Sequence, residues 1–129
     1  MVYRDDSITT FEYSEETLRS LYSMFCYGYR HGGPQAEALW YFDTRISYQE
    51  LMDSVHAFAA GLVQEGVKKG DYVTIFHPNI PQCVIAVYAV NRLGAVCNLV
   101  HPLSTRQELE YCVKLTDSRL ILAFDQKAK

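Results

Sequence analysis

Four histidines and four cysteines are the side chains of this 129-residue chain with the readiest chemistry. His77 and His101 each precede a proline and each close an apolar run, in His77-Pro78-Asn79 and His101-Pro102. In an open parallel sheet, ligands bind outside the carboxyl ends of the strands, so one reading is a polar pair lining a cleft. The other is that each His-Pro simply ends a strand, because proline biases the residue before it to extended backbone. No Asp, Glu or Cys stands where it would complete a catalytic or metal set with them. His56 falls within an amphipathic stretch and His31 in a stop signal, neither with a partner. Cys26, Cys83, Cys97 and Cys112 show no C-x-x-C spacing and no paired histidines. They read as free thiols packed as small hydrophobes.

Phosphate chemistry lacks a cradle. A dinucleotide site needs G-x-G-x-x-G straight after a strand, and the loop there is His-Pro-Asn-Ile-Pro. Gly61 and Gly66 have the glycine spacing of a P-loop but are followed by Val67; Gly28 and Gly33 are followed by Pro34. No Ser-His-Asp or Cys-His set sits on a recognisable elbow. The residues therefore assign no catalytic, cofactor-binding or metal-ligating position.

The elements that would position any site begin with a helix from Ser14, with Glu15 and Glu16 in its first turn and Leu18, Leu21, Tyr22, Phe25 and Tyr29 at helical spacing. Residues 1–13 read as surface chain. His31-Gly-Gly-Pro34 stops the helix. The tyrosines at 22, 27 and 29 fit a helix face docked on the domain, with hydroxyls towards water, better than a stacking platform. Ala38–Phe42, a turn at Asp43-Thr44 and the return Arg45-Ile46 predict a short hairpin. Ser47-Tyr-Gln-Glu50 predicts a capping box opening a helix with the stripe Leu51, Val55, Phe58 and Leu62. Gly66 ends it in the left-handed conformation that glycine takes cheaply.

From Gly70 to Asp125 the pattern is strand, helix, strand, helix, strand. The strands fall at about 72–77, 95–100 and 119–124, and the helices at Pro81–Leu93, with Asn79 as cap, and Thr105–Thr116, capped by Ser104 or Thr105. Leu109, Cys112, Val113 and Thr116 form the inner face of the last helix, and Glu110 and Lys114 can pair outside. Strands alternating with helices of this length predict crossover units and a parallel sheet, an α/β fold of βαβαβ type. A third strand this apolar needs cover on both faces. Either an earlier segment supplies it, or the chain is cut from something longer, which is the expectation taken here.

Composition supports one domain, read as residues 1–129. Apolar residues make up 49% and charged residues 21%, a globular balance. A formal net charge of -3 with no basic stripe excludes the electrostatic footprint of a nucleic-acid binder. The polar, acidic N-terminus carries no signal peptide, and the longest apolar run, Cys83–Val90, is far short of the ~20 residues that span a bilayer. Free cysteines fit a reducing compartment, so a cytoplasmic protein is expected.

Several stretches, in order, resemble the N-terminal part of AMP-forming acyl-CoA synthetases, members of the adenylate-forming superfamily. They are Ile46-Ser-Tyr-Gln-Glu-Leu51, Ala59-Ala-Gly-Leu62, Gly66-Val-Lys-Lys-Gly-Asp71, Pro78-Asn-Ile-Pro-Gln82 and Gly94-Ala-Val96, with Pro102 and Glu108. Their succession spans about residues 36–124, and the Pro-Asn-x-Pro-Gln stretch leans towards fatty-acid–CoA ligases. The resemblance implies a partial subdomain of a larger fold, whose parent adenylates a carboxylate with ATP and Mg²⁺ and passes the acyl group to coenzyme A. It places the phosphate loop, the nucleotide motifs and the catalytic lysine beyond Lys129. This piece alone is then expected to be inactive and to bind no cofactor, with the rest of the parent enzyme as its partner. His101-Pro102 stands where the family usually has Asn-Pro. The alternative is a stand-alone α/β interaction module, binding a partner or itself through the third strand, an exposed sheet edge or the aromatic helix.

Overall fold

Ser20 opens the first described helix of the protein, in a computed structural model that describes residues 20–123. The expected surface course of residues 1–13, the Ser14 cap, Glu15, Glu16 and Leu18 lie outside the described residues. Helix α1 is Leu21–Gly32, and the Ser20 side chain accepts from the Ser23 N–H at 3.0 Å. Strands β1 (Glu37–Tyr41) and β2 (Thr44–Ser47) form the antiparallel hairpin. Its turn is one residue earlier than expected: Thr44 already pairs with Tyr41, so Phe42 and Asp43 turn the chain, Phe42 at φ 50.

Helix α2 (Tyr48–Gln64) starts with the predicted reciprocal cap, in which Ser47 Oγ accepts from Glu50 N and Glu50 Oε2 from Ser47 N. It ends at Gly66, φ 88, where Gly66 N donates to Val63 O and Val67 N to Leu62 O. These two bonds satisfy carbonyls that the helix end leaves open. Leu51, Val55 and Leu62 of the predicted stripe are buried, but Phe58 is 37% exposed and Ala59 takes the inner place. The reason is the neighbour: helix α3 (Pro81–Arg92) presents Ala86, Ala89 and Val90, and small residues on both sides let the helices approach.

Strands β3 (Tyr72–Phe76), β4 (Val96–Val100) and β5 (Leu120–Ala123) form a parallel sheet in the order β4-β3-β5, as the alternating pattern predicted, each slightly shorter than expected. The opening of α3 differs in detail. Its cap is Ile80, not Asn79, and no side chain caps it; Pro81 in the first turn removes one free N–H instead. Helix α4 (Arg106–Thr116) begins with a second reciprocal cap, Thr105 with Glu108, and ends at Asp117 in the left-handed conformation, φ 49. Glu110 pairs with Arg106, Nε to Oε1 at 2.9 Å, and not with Lys114. Both bases lie one turn away, and the planar guanidinium presents more donors to the carboxylate.

The strand order moves outward from β3 to β4, then back past β3 to β5. Right-handed crossovers in opposite directions put α3 and α4 on opposite faces. Val73 and Ile75 face α3 and α2 in the main core with Val55, Ala59 and Val90. Thr74 and Asn98, register partners in mid-strand, face α4.

Candidate functional site

An apolar groove of about 400 Å³ runs along α3. The first turns of α3 supply its floor through Val84, Val87 and Tyr88, while strand β1 supplies Leu39 and Trp40 and edge strand β4 supplies Leu99. Trp40 is 71% exposed at its rim, with the Arg45 guanidinium 4.9 Å from the ring centre. No lining residue carries a charge. Burial raises the Cys83 thiol, and burial followed by the nearby Tyr48 raises the Tyr88 phenol, so both stay protonated at neutral pH. The groove can hold an apolar group by the hydrophobic effect. Its polar lining includes the Asn79 amide, the Cys83 thiol and the Tyr41 and Tyr88 hydroxyls.

Phe25 closes the core behind this groove. Its ring stacks on Tyr88 at 4.8 Å and on Tyr48 at 5.7 Å, which docks α1 on α2 and α3. The tyrosines of α1 bind protein groups where water was expected: Tyr22 Oη lies 3.1 Å from His56 Nε2, and Tyr29 Oη donates to Gln49 Oε1. Tyr27 stacks on His31.

The two His-Pro histidines follow Phe76 and Val100, register partners on adjacent strands. His77 is partly buried, which lowers its pKa from the ordinary imidazole value. His101 is exposed, and its Nδ1 accepts from Leu103 N at 3.1 Å, closing the loop after β4. His101 therefore does what a strand-ending residue does. Among the described residues, no group of three His, Cys, Asp or Glu could hold a metal ion. The four cysteines are free.

Two features escaped the sequence. The groove is assembled from four separated segments, so no local pattern marks it. A half-buried polar network, centred on the buried Thr74, also lies between the sheet and α4. Thr74 Oγ1 is 2.6 Å from Ser118 Oγ and accepts from Asn98 Nδ2 at 3.1 Å; Ser118 Oγ is 2.7 Å from Thr116 Oγ1. Its visible signal was a Thr and an Asn in the middle of apolar strands.

Cys97 faces α3, with Sγ 3.6 Å from Val87 O, and its pKa is pushed up to about 11 by burial first and by the neighbouring Cys83 second. Only the thiolate is nucleophilic, so at about pH 8 its alkylation by iodoacetamide should run more than about 100-fold slower than that of glutathione. Mass-spectrometric time courses on the folded chain check this, and comparable rates would contradict the burial.

Comparison with known proteins adds the following. Residues 30–129 match the family described as "AMP-binding enzyme". The chain is 42% identical over 73 residues to an acetyl-coenzyme A synthetase of Sinorhizobium medicae, covering 53% of this chain and 11% of that protein. It is 30% identical over 92 residues to a long-chain-fatty-acid–CoA ligase of Bacillus subtilis, covering 71% of this chain and 16% of that one. Among solved structures, the Klebsiella oxytoca NpsA N-terminal subdomain in complex with 3-hydroxyanthranilyl-AMSN superimposes with a TM-score of 0.79 at 26% identity. That match covers 86% of this chain and 28% of the other. The chain thus spans a small fraction of each relative's length. Among the described residues no helix is long and apolar enough to cross a membrane.

Proposed function

Because the chain belongs to the AMP-binding enzyme family, we propose that it is the N-terminal part of an ATP-dependent acyl-CoA synthetase that carries scaffold and not catalytic residues. The parent joins a carboxylate to ATP, releasing pyrophosphate and leaving an acyl-adenylate. The thiol of coenzyme A then displaces AMP to give the thioester. ATP, Mg²⁺ and coenzyme A belong to that parent. The described residues do not fit them: the groove carries no cation for a phosphate, and no acidic cluster stands ready for Mg²⁺. The described residues are therefore given a scaffolding role in that reaction.

The observation that carries the reading is the match of residues 30–129, supported by the superposition on an N-terminal subdomain. A fatty acid is the proposed substrate class, on the Pro78-Asn-Ile-Pro-Gln82 stretch and the 30% identity to the Bacillus subtilis ligase. The relative from Sinorhizobium medicae is named for acetate, so the acid has to be tested directly. A cytoplasmic location and a single structural unit over residues 1–129 complete the proposal.

Acid-dependent ATP–pyrophosphate exchange is the experiment. The 129-residue chain should give none with acetate, octanoate or palmitate, and the polypeptide from the whole reading frame should give exchange strongest with a fatty acid. Exchange by the short chain would overturn the scaffold reading, and exchange by the long chain with acetate alone would overturn the choice of acid. The second reading, an interaction module, draws on the exposed apolar groove and would be favoured by a stop codon directly after Lys129.

A further inference from the structure

The β1–β2 hairpin ends in three consecutive aromatic residues. Trp40 is 71% exposed, Tyr41 37% and Phe42 81%. Phe42 and Asp43 make a two-residue turn between the register partners Tyr41 and Thr44, and Phe42 sits there at φ 50. Glycine takes a positive φ at such a turn cheaply, whereas a bulky side chain is strained by it. The Phe42 ring meets Tyr41 edge-on at 4.6 Å, yet its high exposure shows that burial in the described fold does not offset the strain. A large apolar ring kept at a strained turn and directed to solvent points to a contact outside the fold.

Area and charge select the occupant. Aromatic side chains carry about 150–250 Å² each, so at these exposures the three rings offer roughly 400 Å². Two protein surfaces in a stable pairing bury about 800 Å² on each side, twice what the tip presents. A bilayer interface needs no matching surface. Trp and Tyr rings settle at headgroup level, with the ring on the apolar side and the N–H or hydroxyl on the wet side. The charged residues of the hairpin are Glu37, Asp43 and Arg45, two acids against one base. Arg45 is already engaged by Glu37 and by the Trp40 ring. Anionic lipid is recognised by clusters of Lys and Arg, so this tip matches a zwitterionic surface instead.

We propose that the Trp40-Tyr41-Phe42 tip inserts into the headgroup layer of a zwitterionic lipid bilayer and docks the protein on a membrane surface without spanning it. The inference goes beyond the synthetase reading and does not depend on which acid the parent activates.

Trp40 is the only tryptophan of the chain, so its emission reports on the tip alone. Phosphatidylcholine vesicles added to the 129-residue chain should move that emission to shorter wavelength. Lipids brominated near the headgroup end of the acyl chain should quench it more than lipids brominated near the methyl end. Phe42→Gly should weaken vesicle partitioning by about tenfold or more, since the apolar area inserted sets the affinity. The same substitution relieves the turn, so the unfolding midpoint should hold or rise, which separates lost docking from lost folding. Emission that vesicles leave unmoved, or equal partitioning of Phe42→Gly, would overturn the proposal. So would Trp40 emission already at short wavelength and shielded from acrylamide before lipid is added, because residues 1–19 or 124–129 would then cover the tip. A dimer that Phe42→Gly dissolves would give the tip to a second copy, and binding confined to phosphatidylglycerol vesicles would replace insertion by charge; either result overturns the proposal. The polypeptide from the complete reading frame should bind the same vesicles. Acid-dependent exchange by that polypeptide without vesicle binding would remove the inference and leave the synthetase reading standing.

Discussion

Replacing Phe25 by alanine is expected to cost about 3–5 kcal/mol, the range for emptying a buried aromatic site. The ring is 5% exposed and sandwiched by Tyr48 and Tyr88. Few other residues join α1 to the rest as directly. A domain of this size is stable by only about 5–15 kcal/mol, so the loss is a large share of the whole. Urea denaturation measures it, and native-state hydrogen exchange locates it: α1 amides should lose protection before those of β3. Phe25→Leu should recover more than half of the loss, because aliphatic volume replaces most of the buried area while the stacking is gone. A loss below about 1 kcal/mol would mean that α1 is held by its tyrosine hydrogen bonds and not by this ring.

Thr74→Val is the second large effect. Valine keeps the shape of threonine and removes only the hydroxyl, at a position that is 0% exposed. That hydroxyl joins Ser118 to Asn98, so its removal leaves two polar side chains short of a partner under α4. Ser118 Oγ keeps Thr116 Oγ1 at 2.7 Å, and Asn98 Nδ2 keeps Cys112 O and Thr116 Oγ1 at 3.4 Å. The expected cost is therefore that of the lost hydrogen bonds, about 0.5–1.5 kcal/mol each. Combining Thr74→Val with Ser118→Ala should cost clearly less than the two singles added together, because each single already breaks the same bond. Strict additivity in thermal or urea unfolding would show that the hydroxyls act independently and that no network exists.

Much of this architecture could be read from the chain because its punctuation is local. Ser47 with Glu50 and Thr105 with Glu108 cap their helices reciprocally, and Gly66 takes the positive φ that its place after α2 requires. Several of the residues that carried the family resemblance, Ser47, Glu50, Gly66 and Glu108, have this kind of role, which explains why the resemblance reported fold and family well. Phe58 was misplaced because a helical stripe gives a direction but not the size of the partner, and α3 brought alanines to the crossing. The salt bridge of Glu110 went to Arg106 because spacing alone does not choose between two bases a turn away. The groove and the Thr74 network needed long-range placement, which no single stretch contains. His101 illustrates the reverse: it sits at a strand end where a ligand contact was one reading, and its Nδ1 accepts from the N–H of Leu103.

The central position of β3 also has a consequence for how the protein assembles. Thr74 meets Asn98 across 24 residues and Ser118 across 44. Loop-closure entropy rises with the logarithm of length, so the nearer pairing is favoured by roughly half a kcal/mol before any side chain is counted. Strand β4 therefore has the earlier claim on β3 as the chain emerges from the ribosome, and β5 completes a ladder that already exists.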